Sequence, residues 1–267
     1  MEPAFNRYCP VCGESKAAPL FSKGGLQLTV CARCSMIYVN PVAVAMASGT
    51  FYDEGGSEYL FADKLQSDYS EVRFERELKL FRACCREGRV LDVGCSSGGF
   101  LYQLQRRFPE DYQVMGTDVS TAPLEHARKM GVSVVRGNFL TQTFDAPFDA
   151  VTFWAVMEHL AEPSAFLQKA ASVLKPGGVC IILVPNMKSL AVRLLGAKYR
   201  YIFPEHLNYF SPATLTRFAG QEFEVLKLTT THFNPIVIWK DWRGGARNIP
   251  REERSKLLKQ TCKVVRV

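Results

Sequence analysis

The 267-residue sequence predicts an α/β protein: a mostly parallel sheet with helices on both faces, preceded by a small metal-binding ribbon. Three observations carry that expectation. From Arg89 onward, short apolar runs alternate with helical stretches. The first run stops at a loop of small residues, Gly94-Cys95-Ser96-Ser97-Gly98-Gly99. Ahead of them stand two Cys-x-x-Cys pairs, Cys9/Cys12 and Cys31/Cys34, with eighteen residues between them.

Residues 1–40 read as the ribbon. Two such pairs can offer four thiolates to one tetrahedral zinc ion, and Gly13 suits the turn a knuckle needs. Phe21, Leu26, Leu28, Val30, Ile37, Tyr38 and Val39 suggest short strands around it. Four cysteine ligands leave no open position, so the expected role is structural. Asn40-Pro41 ends this unit. Residues 41–87 form a connector, with a tyrosine-rich patch (Tyr52, Tyr59, Tyr69) and a helix over Ser70–Cys85.

Residues 88–232 carry the alternation. Val90–Val93 is a strand, and Phe100, Leu101, Leu104 and Phe108 mark one face of the helix after the loop. Tyr112–Thr117 is a second strand ending in Asp118. Ser120 or Thr121 caps the next helix, Pro123 lies in its first turn and Gly131 closes it. Val132–Val135 leads into Gly137-Asn138-Phe139, and Phe148–Trp154 is a fourth strand. A helix over Pro163–Lys175 is expected to stop at Pro176-Gly177-Gly178. Val179–Val184 and Phe223–Leu228 complete six strands. In residues 233–267, Pro250 opens an amphipathic helix, and Val264–Val267 is the last strand-like run, so the existence of a seventh strand stays open.

The net charge of +7 is unevenly spread. From Lys240 to Val267 there are nine basic residues against Asp241, Glu252 and Glu253, which is +6 and leaves +1 for the rest. A near-neutral body argues against a nucleic-acid surface. No uncharged apolar run approaches the roughly 20 residues of a membrane helix, and no secretion signal is visible. A cytoplasmic protein is expected, with its nine cysteines reduced or metal-bound.

Glycine and serine let a ligand approach the backbone, and a helix N-terminus offers N–H groups to an anion. Asp92-Val93-Gly94-Cys95-x-x-Gly98 resembles motif I of class I S-adenosylmethionine (SAM) methyltransferases, with Ser96 replacing the usual middle glycine. Asp149–Trp154 and Leu174-Lys175-Pro176-Gly177-Gly178 resemble the fourth-strand and pre-fifth-strand motifs of the same family. The resemblance spans about Leu91 to Leu228 and implies a Rossmann-like class I methyltransferase sheet binding SAM. Asp92, Gly94, Ser96 and Gly98, with Cys95 and Phe100 beside them, would surround the methionine end. Asp118, with Val119, would bind the ribose. Asn138 would accept from the adenine amine, and Phe139 and Trp154 would flank the adenine and sulfonium.

Base-amine methyltransferases carry Asn/Asp-Pro-Pro-Tyr after the fourth strand, whereas this sequence has Ala155-Val156-Met157-Glu158-His159. The Glu-His pair resembles ubiquinone-type O-methyltransferases, in which two glutamates and this histidine hold a divalent cation. The first glutamate's place is Ala155, so that cation is not expected here, and His159 is read as structural or substrate-lining. Phe203-Pro204-Glu205-His206-Leu207-Asn208-Tyr209-Phe210-Ser211 resembles a segment of zinc-ribbon sugar C-methyltransferases. That resemblance implies His206 as general base, helped by Glu205, with Tyr209 beside them. It departs at Phe203, where those enzymes have tyrosine, and their large C-terminal domain has no counterpart. The expected activity is SAM-dependent methylation of a hydroxyl or activated carbon on a sugar or secondary metabolite. An RNA methyltransferase and a non-catalytic SAM-binding scaffold are the alternatives.

Overall fold

The computed structural model describes residues 3–48, 65–66, 68–70, 73–196, 202, 205–230 and 261–266. Tyr52, Tyr59, Phe203 and the helix expected after Pro250 lie outside them.

At the N-terminus β1 (Ala4–Phe5) pairs antiparallel with β5 (Val42–Ala43). Between them β2 (Ala17–Lys23), β3 (Leu26–Cys31) and β4 (Ile37–Val39) form an antiparallel meander, and α1 (Val44–Ser48) follows. Further along the connector α2 (Glu75–Arg82) buries Leu78 and Phe81.

The alternation follows as β6 (Gly88–Val93), α3 (Gly99–Arg107), β7 (Tyr112–Asp118), α4 (Thr121–Lys129), β8 (Val134–Arg136), β9 (Phe148–Trp154), α5 (Pro163–Val173) and β10 (Leu174–Val184). Then come α6 (Leu190–Leu195), β11 (Asn208–Tyr209), α7 (Pro212–Ala219), β12 (Glu224–Thr229) and β13 (Thr261–Arg266). Seven strands form one sheet in the order β12-β13-β10-β9-β6-β7-β8. Strands β6 to β10 pair in parallel, and β13 enters antiparallel between β10 and β12. The strand left open by the sequence is therefore present, and it is the last described stretch.

The second half of β10, Val179–Val184, is apolar without a break, and β9 is interrupted only by Asp149 and Thr152, as expected of a parallel sheet covered on both faces. One boundary differs from expectation. Helix α5 ends at Val173, and Leu174 already pairs with Phe148; the register then shifts, so that Val179 pairs with Ala150. Pro176-Gly177-Gly178 is thus a bulge within the strand rather than the stop of the helix.

The ribbon is fused to the sheet, not tethered beside it. Strand β11, which follows β10 by more than twenty residues, adds to the ribbon sheet by pairing Asn208 with Tyr38 and Tyr209 with Ile37. Cys9, Val11, Met36 and Tyr38 share one apolar cluster with Phe210, Leu215, Phe218 and Phe223. Among the described residues no helix is long and apolar enough to cross a membrane.

Phe218 has no exposed surface and sits in this shared cluster. Phe218→Ala should cost about 3–5 kcal/mol. Thermal unfolding should show ribbon and sheet melting together, in one lowered transition, rather than an early ribbon step with the main transition unchanged.

Candidate active site

Strand β6 delivers Gly94 to the carboxyl edge of the sheet, where its φ is 71°. A Cβ there would stand 2.6 Å from Val156 Cγ2, so both conformation and space require glycine. Ser96, at φ 50°, also lies in the left-handed region, which is why a glycine is usual at this place. Its N–H donates to Asp118 Oδ2 at 2.8 Å, and the Ser120 N–H donates to Asp118 Oδ1 at 2.9 Å. Asp118 therefore braces the loop against the end of β7 while keeping lone pairs for a ligand's hydroxyls.

Asp92 is 3% exposed and accepts a 2.7 Å hydrogen bond from the Thr152 hydroxyl. Burial pushes its carboxyl up to about 8; the Thr152 bond offsets part of this, and neighbouring Asp118 adds to it. The connector clasps the loop from outside. The Ser97 hydroxyl donates to Asp68 at 3.0 Å, and the Tyr69 hydroxyl donates to the Ser97 carbonyl.

Two cavities open on this loop and meet at Gly94, Ser96 and Ala155. The smaller, about 350 Å³, holds Asp92, Cys95, Phe100 and Trp154 with Arg73 and Arg76 from the connector. Trp154 Nε1 is buried there without a hydrogen-bond acceptor among the described residues. The larger, about 480 Å³, holds Asp118, Val119, Asn138, Phe139, His159 and Glu205. Together they suit a ligand with a cationic, amino-acid-like end and a flat apolar end. Phe139 and Trp154, expected to flank the adenine and the sulfonium, lie one in each of the two adjoining cavities. Asn138 Oδ1 already accepts from the Leu140 N–H at 3.0 Å, so its amide NH₂ and one lone pair remain for a ligand. Gly98 lines neither cavity; a Cβ there would meet Ala127 at 3.0 Å.

The expected catalytic residues separate. His159 and Glu205 line the larger cavity, whereas His206 and Tyr209 line neither and are 4% and 3% exposed. The Glu205 main-chain carbonyl lies 2.9 Å from His159 Nδ1; a carbonyl only accepts, so Nδ1 carries the proton and Nε2 the lone pair. Burial pulls His159 down to about 4, partly offset by that bond, so the ring is neutral at pH 7. Behind it, at 4.7 Å between centroids and nearly perpendicular, lies the His206 ring.

Glu158, which the sequence paired with His159 without giving it a role at the site, has an unusual setting. It is 1% exposed, neither carboxyl oxygen has a hydrogen-bond partner among the described residues, and burial pushes it up to about 8. One oxygen lies within 4.8 Å of ligand nitrogens of both His159 and His206. Its position beside His159 was a signal, but only contact with a histidine 48 positions later gives it meaning. The four ribbon sulfurs also lie within 4.8 Å of one another, with Cys9–Cys34 and Cys12–Cys31 at 3.5 Å. Tetrahedral zinc thiolates stand about 3.7 Å apart, so this donor set fits zinc.

The Asp92 carboxyl yields a pH prediction. An unfolded aspartate titrates near 3.9, so between about pH 4 and pH 8 the folded protein binds the extra proton and loses stability as pH rises. Asp92→Asn removes that slope. Its melting temperature should match wild type near pH 4.5 and exceed it by about 3 °C or more at pH 8.5. Equal shifts at both pH values would contradict the buried neutral acid.

A model of the methyltransferase domain family matches residues 65–228, more than half of the chain. Ubiquinone biosynthesis O-methyltransferase of Vibrio cholerae is 32% identical over 165 residues, covering 56% of this chain and 66% of that protein. The enzyme of the same name from Rhodopseudomonas palustris is 31% identical over 185 residues, covering 63% and 71%. The chain thus spans about two thirds of these relatives' length. Among solved structures, magnesium protoporphyrin IX methyltransferase from Synechocystis, with bound S-adenosylhomocysteine (SAH), superposes with a TM-score of 0.57 at 15% identity, covering 81% of this chain and 96% of that one. The N-methyltransferase NodS from Bradyrhizobium japonicum, also with SAH, gives 0.53 at 14%, covering 80% and 97%. The chain belongs to the methyltransferase domain family and has the class I SAM-dependent methyltransferase fold, with a four-cysteine ribbon built into its N-terminal side.

Proposed function

We propose that the protein transfers the methyl group of SAM to an oxygen of a small-molecule acceptor. The observation that carries this reading is the pair of cavities meeting at Gly94, Ser96 and Ala155, with Asp92 on one side and Asp118 on the other. Asp92 would face the methionine ammonium and give up its proton to do so. Arg73 and the Trp154 N–H would take the carboxylate, and Asp118 the ribose hydroxyls. The sulfonium would then lie near Ala155, where the two cavities join.

Oxygen is favoured as acceptor because the 31–33% identical relatives bear the name O-methyltransferase. The burial of His206 off the cavity wall weighs against its acting directly on a carbon acid. The acceptor would enter from the His159 side of the larger cavity, and apolar Phe139, Leu160 and Phe166 would exclude water from the reacting line. The near-neutral charge of residues 1–239 weighs against RNA as the acceptor.

The divalent cation of ubiquinone-type enzymes is not expected from the sequence alone, because Ala155 stands where their first glutamate does. Glu158, His159 and His206 fit one, His206 supplying the donor that Ala155 lacks. When bound, such an ion supplies a Lewis acid that lowers the pKa of an acceptor hydroxyl. Glu158 and the two imidazoles would hold it, and the Glu205 carbonyl would fix the His159 ring. Cys9, Cys12, Cys31 and Cys34 would hold a structural zinc.

Methyl-labelled SAM offered separately to a small-molecule extract and to total RNA tests the acceptor class. Label should enter a discrete small molecule as a methyl ether; label in RNA, or on carbon, would overturn the reading. Cobalt(II) tests the cation. Wild type should show two classes of site: one with thiolate charge-transfer absorption from the ribbon, and one without it that His206→Ala and Glu158→Gln both remove. A single thiolate class in wild type would eliminate the second site.

A further inference from the structure

Part of the larger cavity's wall comes from outside the methyltransferase sheet. Phe5, Met46 and Ala47 line it together with Leu160, Ala161 and Phe166. The β1–β5 pairing brings these N-terminal residues together, setting Phe5 opposite Val42, just ahead of α1. Phe5 lies four residues before the metal-binding thiol of Cys9.

Between them is Arg7. Its guanidinium donates to three main-chain carbonyls from three segments: Val39 of the ribbon at 3.1 Å, Ala161 of the cavity wall at 2.9 Å, and Leu207 beside His206 at 2.6 Å. Its own N–H donates to Asn40 Oδ1 at 3.0 Å, and the guanidinium lies 5.3 Å from the centre of the Tyr38 ring. Only a planar fork of several N–H groups reaches three carbonyls at once; a lysine ammonium does not. Burial pulls Arg7 down to about 10, which leaves it charged at pH 7. The first cysteine knuckle is fastened to the same region: the Ser164 hydroxyl, in the first turn of α5, donates to the Pro10 carbonyl at 2.8 Å. Gln221 donates to the Val11 carbonyl at 2.6 Å. One short segment thus carries a cavity residue, a clasp and a metal ligand.

We propose that the ribbon, together with helix α1 directly after it, is a working wall of the cofactor cleft, closing its adenosine half through Phe5 and Met46, and that Arg7 is the positioning residue that seats it. This rests on the reading of the cleft as a SAM site. If it holds, cofactor and ribbon metal stabilise each other, because coupling between two sites is reciprocal.

The test uses the full chain and SAH, with zinc content measured throughout. Wild type should bind SAH, and saturating SAH should slow zinc transfer to a chelator at least threefold. Phe5→Ala/Met46→Ala, which trims a partly exposed surface, should weaken SAH about tenfold and abolish that protection while keeping zinc and melting temperature. Arg7→Lys should weaken SAH at least threefold with zinc stoichiometry unchanged. Wild-type affinity within twofold in both variants, or zinc release indifferent to SAH in wild type, would overturn the inference. Absence of SAH binding by wild type would instead strike at the SAM reading itself.

Discussion

The structure depends on a backbone constraint at one loop. Gly94, Ser96 and Gly98 all stand at positive φ, and the loop they form is held in place by the Asp118 carboxylate through the Ser96 N–H. Positive φ at a serine costs on the order of 1 kcal/mol, and a charge-assisted bond to the next strand offsets a cost of that size. What results is a backbone that a ligand can approach closely, flanked by two acids of different character. Asp118 is pinned by two N–H donors, while Asp92 is sealed beneath with one hydroxyl donor and its proton.

Everything built around the loop narrows access to it. The connector adds Asp68 and Tyr69 on one side, and Phe5 of the ribbon with Met46 of α1 stand on the other. The segment after β10 contributes Glu205 to the cavity, then returns as β11 to the ribbon sheet. The ribbon and the segment that lines the larger cavity at Glu205 are therefore one mechanical unit, sharing a sheet, an apolar cluster and a buried guanidinium. A metal held by the four ribbon thiols would act on the cleft through those contacts, since four thiolates leave no open coordination position.

Much of this was legible in the sequence. The small-residue loop, Asp118 at a strand end, Asn138 after the third strand and the paired cysteines are local signals, each fixed by residues a few positions apart. The seventh strand was harder, because Thr261–Arg266 gains its meaning only from pairing with β10 and β12. Arg7, the position of His206 and its proximity to Glu158 were not legible, since they come from contacts across tens to hundreds of residues. Periodicity places a histidine on an element but does not say whether it reaches a cavity or lies behind another ring. His206 lies behind His159, and a reading from motif order alone gives it the exposed role.

The most direct measurement is the heat of SAH binding at pH 7 in two buffers of different ionisation enthalpy. An Asp92 carboxyl that titrates near 8 in the empty cleft is protonated at that pH, and an ammonium beside it forces ionisation. The account predicts binding accompanied by net proton release, lost in Asp92→Asn. Binding heat that is the same in both buffers, or no binding at all, would contradict it.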